Sequence, residues 1–156
     1  MQTSFTENQL KDKDNRTSET IIRKCVHCGM CNATCPTYGI NGEELEGPRG
    51  RIYLIKDMLE NKKPATKQIA KHIDSCLSCY SCMTTCPSGV NYMHLIDHGR
   101  NYVEETYKRP FFDRLFRNIL SFVLPRPKVF LLMALSSKII KPFSFLFPKF
   151  LKNALN

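Results

Sequence analysis

The chain has little that would take it across or into a membrane, and no cysteine outside one short region. Its longest uncharged apolar stretch near the C-terminus runs only from Val129 to Ser137, far short of the roughly 20 apolar residues that a single span needs. No long apolar run starts before Arg16, so no signal peptide is expected. Nowhere does the sequence alternate as a strand would, which leaves a mainly α fold. Acidic residues are nearly missing from the last third: from Lys108 onward there are ten Lys or Arg and only Asp113. Up to Tyr107 the charges cancel, so the whole excess of +9 belongs to the tail.

What is present is concentrated. All eight cysteines fall between Cys25 and Cys86. Without a secretory signal a reducing, cytoplasmic setting is expected, where clustered cysteines serve as metal ligands or redox groups rather than disulfides. They form an internal repeat. Cys25-Val-His-Cys28-Gly-Met-Cys31-Asn-Ala-Thr-Cys35-Pro36 recurs 51 residues later as Cys76-Leu-Ser-Cys79-Tyr-Ser-Cys82-Met-Thr-Thr-Cys86-Pro87. The four cysteines, Thr34/Thr85 and the proline coincide. Two copies are too few for a solenoid and read as a pair of half-sites.

The spacing is specific chemistry. A [4Fe–4S] cluster takes four thiolates, and Cys-x2-Cys-x2-Cys supplies three from one tight loop. In bacterial two-cluster ferredoxins the fourth cysteine, before proline, ligates the other cluster. That rule groups Cys25, Cys28, Cys31 and Cys86 around one cluster. Cys35, Cys76, Cys79 and Cys82 surround the second. Pro36 and Pro87 bias the preceding cysteine toward extended angles, turning it from its own loop. Gly29 allows close approach of the backbone. Zinc would need only paired Cys-x2-Cys knuckles, commonly with longer spacers, and explains neither the third cysteine nor the terminal Cys-Pro.

Helical periodicity organises the rest. Ser18 to Lys24 reads as a short helix capped by Ser18. Arg51 to Glu60 carries Ile52, Ile55 and Leu59 on one face, Ala65 to Asp74 carries Ile69 and Ile73, and Tyr92, Leu95, Ile96, Gly99 and Val103 keep the same spacing. Thr37 to Gly50 reads as loop, and Asn61 to Pro64 as a break. Phe111 to Leu124 reads as an amphipathic helix bearing Arg114 and Arg117, after which Pro125, Pro127, Pro142 and Pro148 divide the tail into short pieces. The division expected is a flexible arm at 1–17, a two-cluster domain at 18–107 and a basic, Phe-rich helical extension at 108–156.

The stretches Cys-Val-His-Cys-Gly-Met-Cys, Cys-Pro-Thr-Tyr, Gly-Pro-Arg-Gly-Arg-Ile-Tyr-Leu-Ile-Lys and Cys-Pro-Ser-Gly-Val-Asn-Tyr resemble the iron–sulfur subunits of glycolate oxidase. These are related to the ferredoxin halves of heterodisulfide reductases and anaerobic glycerol-3-phosphate dehydrogenase. The resemblance covers about Ile22 to Pro127, and Gly47-Pro48-Arg49-Gly50-Arg51 narrows it. It implies an α-helical two-[4Fe–4S] ferredoxin module that takes electrons from an FAD-binding glycolate or D-lactate oxidase subunit and passes them toward the respiratory chain, the alternative being the ferredoxin-type subunit of a heterodisulfide reductase-like or anaerobic glycerol-3-phosphate dehydrogenase complex. The flavin then does the substrate chemistry, and no residue here is catalytic. The resemblance also points to a Cys-Cys-Gly domain, carried separately or missing, since no cysteine follows Cys86.

Other residues are read more plainly. With no cysteine lacking, His27 is expected beside a site rather than as a ligand. His72, His94 and His98 read as helix-face residues. Arg49 and Arg51 read as structural or partner contacts. The tail's Phe111, Phe112, Phe116, Phe122, Phe130, Phe143, Phe145, Phe147 and Phe150 lie among Leu and Ile, so protein contact is expected first, a peripheral contact with the inner face of the cell membrane second, and nucleic acid not at all. Anaerobic analysis is expected to find about eight irons per chain, from two four-iron sites, with a brown colour that bleaches on reduction; a colourless, zinc-loaded protein would refute the reading.

Overall fold

The computed structural model describes residues 1–140, with the side chains of 136–140 left out. Among the described residues there are eight α-helices and no strand. They are α1 (Lys13–Lys24), α2 (Pro36–Asn41), α3 (Pro48–Asn61), α4 (Lys67–Asp74), α5 (Ser81–Thr84), α6 (Tyr92–Thr106), α7 (Phe111–Val123) and α8 (Pro127–Ile140). The chain divides into two compact units, Met1–Lys108 and the residues from Arg109 on.

In the first unit, α6 packs on α1, α3 and α4, and α3 touches α1 and α4. Their apolar stripes meet in one core: Ile21 and Ile22 from α1, Ile52, Ile55, Met58 and Leu59 from α3, Ala70 and Ile73 from α4, and Leu95, Ile96 and Val103 from α6. Burying such side chains stabilises by about 1.5–3 kcal/mol each, and this is what holds the cysteine loops at the end of the bundle. Gly99 lets α6 approach α3; a Cβ there would come within 2.8 Å of Ile55. Three of the helices have side-chain caps, with Asp12, Thr66 and Asn91 accepting from the N–H groups of Asn15, Ile69 and His94.

The N-terminal residues do not form a loose arm. Gln9 is buried and its Nε2 donates to the Leu59 and Glu60 carbonyls, at 2.8 and 2.9 Å. Thr3 bonds Glu19 and the Ser4 N–H bonds Glu60. Helix α1 accordingly starts at Lys13, capped by Asp12 rather than Ser18. Ser18 is fully buried mid-helix and meets His98 Nδ1 at 2.7 Å. Sequence periodicity missed this because polar residues supply the tether.

The segment expected as loop after Cys35 is more ordered than its Gly and Glu content suggested. Pro36 opens the short α2, Gly42 closes it in the left-handed region, and Glu44–Glu46 forms a 3-10 turn. Helix α3 starts at Pro48, three residues ahead of the expected start, because proline suits the first helical position. The break before α4 is real, with Lys62 at φ 50°.

In the second unit α7 and α8 are in contact. Pro127 opens α8 instead of dividing the tail further, while Pro142, Pro148 and the last four phenylalanines lie outside the described residues. Phe111, Phe112, Phe116 and Phe122 are exposed along α7. No single described helix is long and apolar enough to cross a membrane, although α7 with Pro127–Leu135 passes on length and composition as a pair bent by 110°.

Gly50 is the most closely approached glycine of the first unit, since a Cβ would sit 2.2 Å from the Glu44 carbonyl oxygen. Gly50→Ala is expected to cost about 1–3 kcal/mol, as overpacking against backbone does. Gly39→Ala, with nothing within 4 Å, is the control, and equal denaturant midpoints for the two would remove Gly50 from the packing.

Candidate metal centre

The sequence repeat is a backbone repeat. His27 and Ser78, 51 residues apart, both have positive φ (60° and 52°), as do Gly29 and Tyr80 (81° and 57°). A left-handed conformation costs a non-glycine residue about 1–2 kcal/mol, so three side-chain-bearing positions accept that cost to give both loops the same shape. The equivalent turns, Met30–Asn32 and α5, pack on each other. Between the loops Thr85 Oγ1 lies 3.3 Å from its counterpart, Thr34 Oγ1. Before Pro36 the chain turns off: Cys35 is extended, at φ −86° and ψ 117°.

These loops line two hollows open to solvent. The first, about 430 Å³, is lined by Cys25, Cys28, Cys31, Cys82 and Cys86. The second, about 290 Å³, is lined by Cys35, Cys76, Cys79 and Cys82. Cys86 thus lines the hollow of the first run, and Cys35 that of the second. Cys82, Pro48 and Tyr92 form the wall common to both. None of the eight cysteines is in a disulfide. Cys25 and Cys82 are buried, whereas Cys28 and Cys79 are exposed.

The donor chemistry suits a cationic iron–sulfide core. Burial, with the neighbouring Cys25, pushes the Cys31 thiol up to about 11. Burial, with Cys31 and Cys76 nearby, pushes Cys82 up to about 12. Crowded sulfurs that resist ionisation alone are relieved when a cation takes the place of their protons. Cys79 is the contrary case: hydrogen bonds from the Ser81 backbone and hydroxyl hold its thiol below the usual range. Tyr92, whose hydroxyl points to Cys76 Sγ at 3.8 Å, is kept protonated by its burial.

Every residue of the Gly-Pro-Arg-Gly-Arg run has a place here. Gly47 passes the buried Asn32, where a Cβ would meet Oδ1 at 2.6 Å. Pro48 opens α3 between the two hollows. Arg49 lines the first hollow, lies over Gly29 and pairs with Glu44. Gly50 passes the Glu44 carbonyl. Arg51 lines the second hollow and is wholly buried.

Four contributors escaped the sequence reading. His72, taken for a helix-face residue, is buried with its Nδ1 2.8 Å from Glu46 Oε1. Glu46 had no sequence signal beyond lying in a Glu-rich stretch. Arg100 holds the second loop by donating to Ser78 Oγ and the Cys76 carbonyl, both at 2.6 Å. Tyr92 was read only as a core position. His27, as expected, is an exposed neighbour, edge-on to Tyr53 at 6.1 Å.

The comparisons with known proteins agree with this geometry. Residues 21–90 match the 4Fe-4S dicluster domain family. This chain carries a two-[4Fe–4S] domain. Across 92% of its length the dicluster protein is 48% identical to the glycolate oxidase iron-sulfur subunit of Escherichia coli (strain K12). Across 72% it is 32% identical to a probable glycolate oxidase iron-sulfur subunit of Bacillus subtilis (strain 168). A succinate dehydrogenase iron-sulfur subunit of Paracoccus denitrificans is more distant, at 29% over 56% of the chain. The chain spans 35% of the E. coli relative and 26% of the B. subtilis one. No solved structure matches it.

Proposed function

We propose that this chain is the electron-transfer part of a glycolate (2-hydroxy-acid) oxidase complex, receiving electrons from a flavoprotein partner and passing them toward the respiratory chain. The observation that carries the reading is the pair of cysteine-lined hollows with a shared wall, in a chain nearly half identical to a glycolate oxidase iron-sulfur subunit. When bound, each [4Fe–4S] cluster supplies one-electron redox chemistry.

The ligand sets follow the crossed rule. Cys25, Cys28, Cys31 and Cys86 hold one cluster, and Cys35, Cys76, Cys79 and Cys82 the other. The lining of each hollow supports this assignment, with Cys82 reaching both walls. The remaining residues hold and shield. Tyr92 and Pro48 keep the shared wall apolar, and the helical core closes the inner side to water. Cys28 and Cys79, the exposed members of the two sets, mark the edges that meet partners. Val26 and Met30 stand exposed at the first edge, Leu77 at the second.

The partners are an FAD-binding glycolate or lactate oxidase subunit and a Cys-Cys-Gly domain. The complex is placed in the cytoplasm, peripheral to the inner face of the cell membrane. The exposed phenylalanine face of α7 and the basic excess after Tyr107 support that position.

Affinity capture of the full chain is expected to bring down a glycolate-oxidising, FAD-containing subunit; recovery of a thiol–disulfide reductase subunit instead would overturn the assignment. Crossed ligation is tested by Cys35→Ala. It is expected to damage the cluster held by Cys76, Cys79 and Cys82 and to spare the one beside Cys25. Selective loss of the Cys25-side EPR signal would contradict the crossing.

A further inference from the structure

The two hollows have unequal charge linings. Beside the first, Arg49 pairs with Glu44 in partial contact with water, at side-chain exposures of 31% and 42%, where screening weakens any field. Beside the second, Arg51 is 1% exposed and Glu46 2%, out of reach of such screening. Arg51 Nε donates to the His72 carbonyl at 2.7 Å. Its Nη2 donates to Glu46 Oε2, Ser75 Oγ and Thr37 Oγ1, at 2.9, 3.0 and 3.1 Å. Its Nη1 faces Cys35 Sγ at 4.0 Å. Glu46 is held in turn by His72 Nδ1 and the Ser75 hydroxyl. Burial would raise its carboxyl, but the Ser75 and His72 hydrogen bonds and the Arg51 charge keep it below the usual carboxylate range.

The pair is neutral but oriented. Arg51 lines the second hollow and Glu46 does not, so the positive end faces the sulfurs and the negative end lies behind it. A buried ion pair of this kind adds little to stability that well-packed apolar residues could not supply. Its orientation, by contrast, does something apolar residues cannot: it places a fixed positive charge against a thiolate.

We propose that Arg51 is a positioning residue that sets the electron affinity of the second site, with Glu46 limiting how much of its charge that site feels, so that the two sites fill at different potentials. The proposal rests on the reading that both hollows hold [4Fe–4S] clusters. Reduction adds one electron, delivered by the flavoprotein partner or by dithionite in a test, and an adjacent cation favours that added charge while an adjacent anion opposes it. The same logic leaves the first site, with its water-exposed Arg49–Glu44 pair, to be set by solvent.

The experiment is a reductive titration of the anaerobically reconstituted full chain, followed by EPR, with iron and sulfide measured in each sample. Glu46→Gln keeps the shape of the side chain and removes its charge. It is expected to raise the potential of one site, the one perturbed by Cys79→Ser, by at least tenfold in the reduced-to-oxidised ratio at fixed potential, about 59 mV for one electron. Arg51→Gln is expected to move the same site in the opposite direction. Arg51→Lys is expected to hold it near the unsubstituted value. The other site stays in place throughout. If Arg51→Gln does not load iron, Glu46→Gln and Arg51→Lys decide the matter. Equal movement of both sites, a Glu46→Gln shift that is absent or toward lower potential, or iron loss from both Glu46→Gln and Arg51→Lys, would mark a structural tether and overturn the proposal. Failure of the unsubstituted chain to load two clusters would instead overturn the reading beneath it.

Discussion

A run of Cys-x2-Cys-x2-Cys can wall only part of a hollow, because seven residues make one tight loop and no more. The fourth side has to come from elsewhere in the chain. Here each run ends in a cysteine ahead of a proline, held extended at Cys35, and that cysteine lines the hollow of the other run. Neither half is complete alone. The rest of the first unit serves this mutual dependence: the α1, α3, α4 and α6 core fixes the two loops at one end of the bundle, and Thr34 and Thr85 meet between them.

The connection between the runs does as much as the runs themselves. Gly-Pro-Arg-Gly-Arg enters α3 between the hollows and sends one arginine to each. The two glycines are there because other groups come too close for a Cβ, Asn32 Oδ1 at Gly47 and the Glu44 carbonyl at Gly50. Arg49 is left near water and Arg51 is sealed in with Glu46 and His72. A near-symmetric pair of cysteine loops is thereby given an asymmetric electrostatic setting.

The second unit has a different physical character. The large apolar side chains of α7 are exposed in a segment that carries nearly all of the chain's excess positive charge. Apolar patches of this extent on a soluble surface mark contact with something else.

The cysteine spacing by itself determined the cofactor class and the number of sites, and the apolar periodicity the helical class of the fold. These are local properties: a ligand loop and an amphipathic stripe are written in residues a few positions apart, and the α3, α4, α6 and α7 stripes lie where the periodicity put them, within a few residues. Tertiary structure alone decided that Gln9 and Ser18 tie the N-terminal segment down, that the Gly-rich stretch after Cys35 folds into α2 and a 3-10 turn, and that Glu46, His72 and Ser75 gather around Arg51. The N-terminal tether and the Arg51 cluster depend on polar groups from 5 to 80 residues apart along the chain finding one another. A buried glutamate and a surface one look alike in sequence, because what separates them is the desolvation that only a packed neighbour imposes.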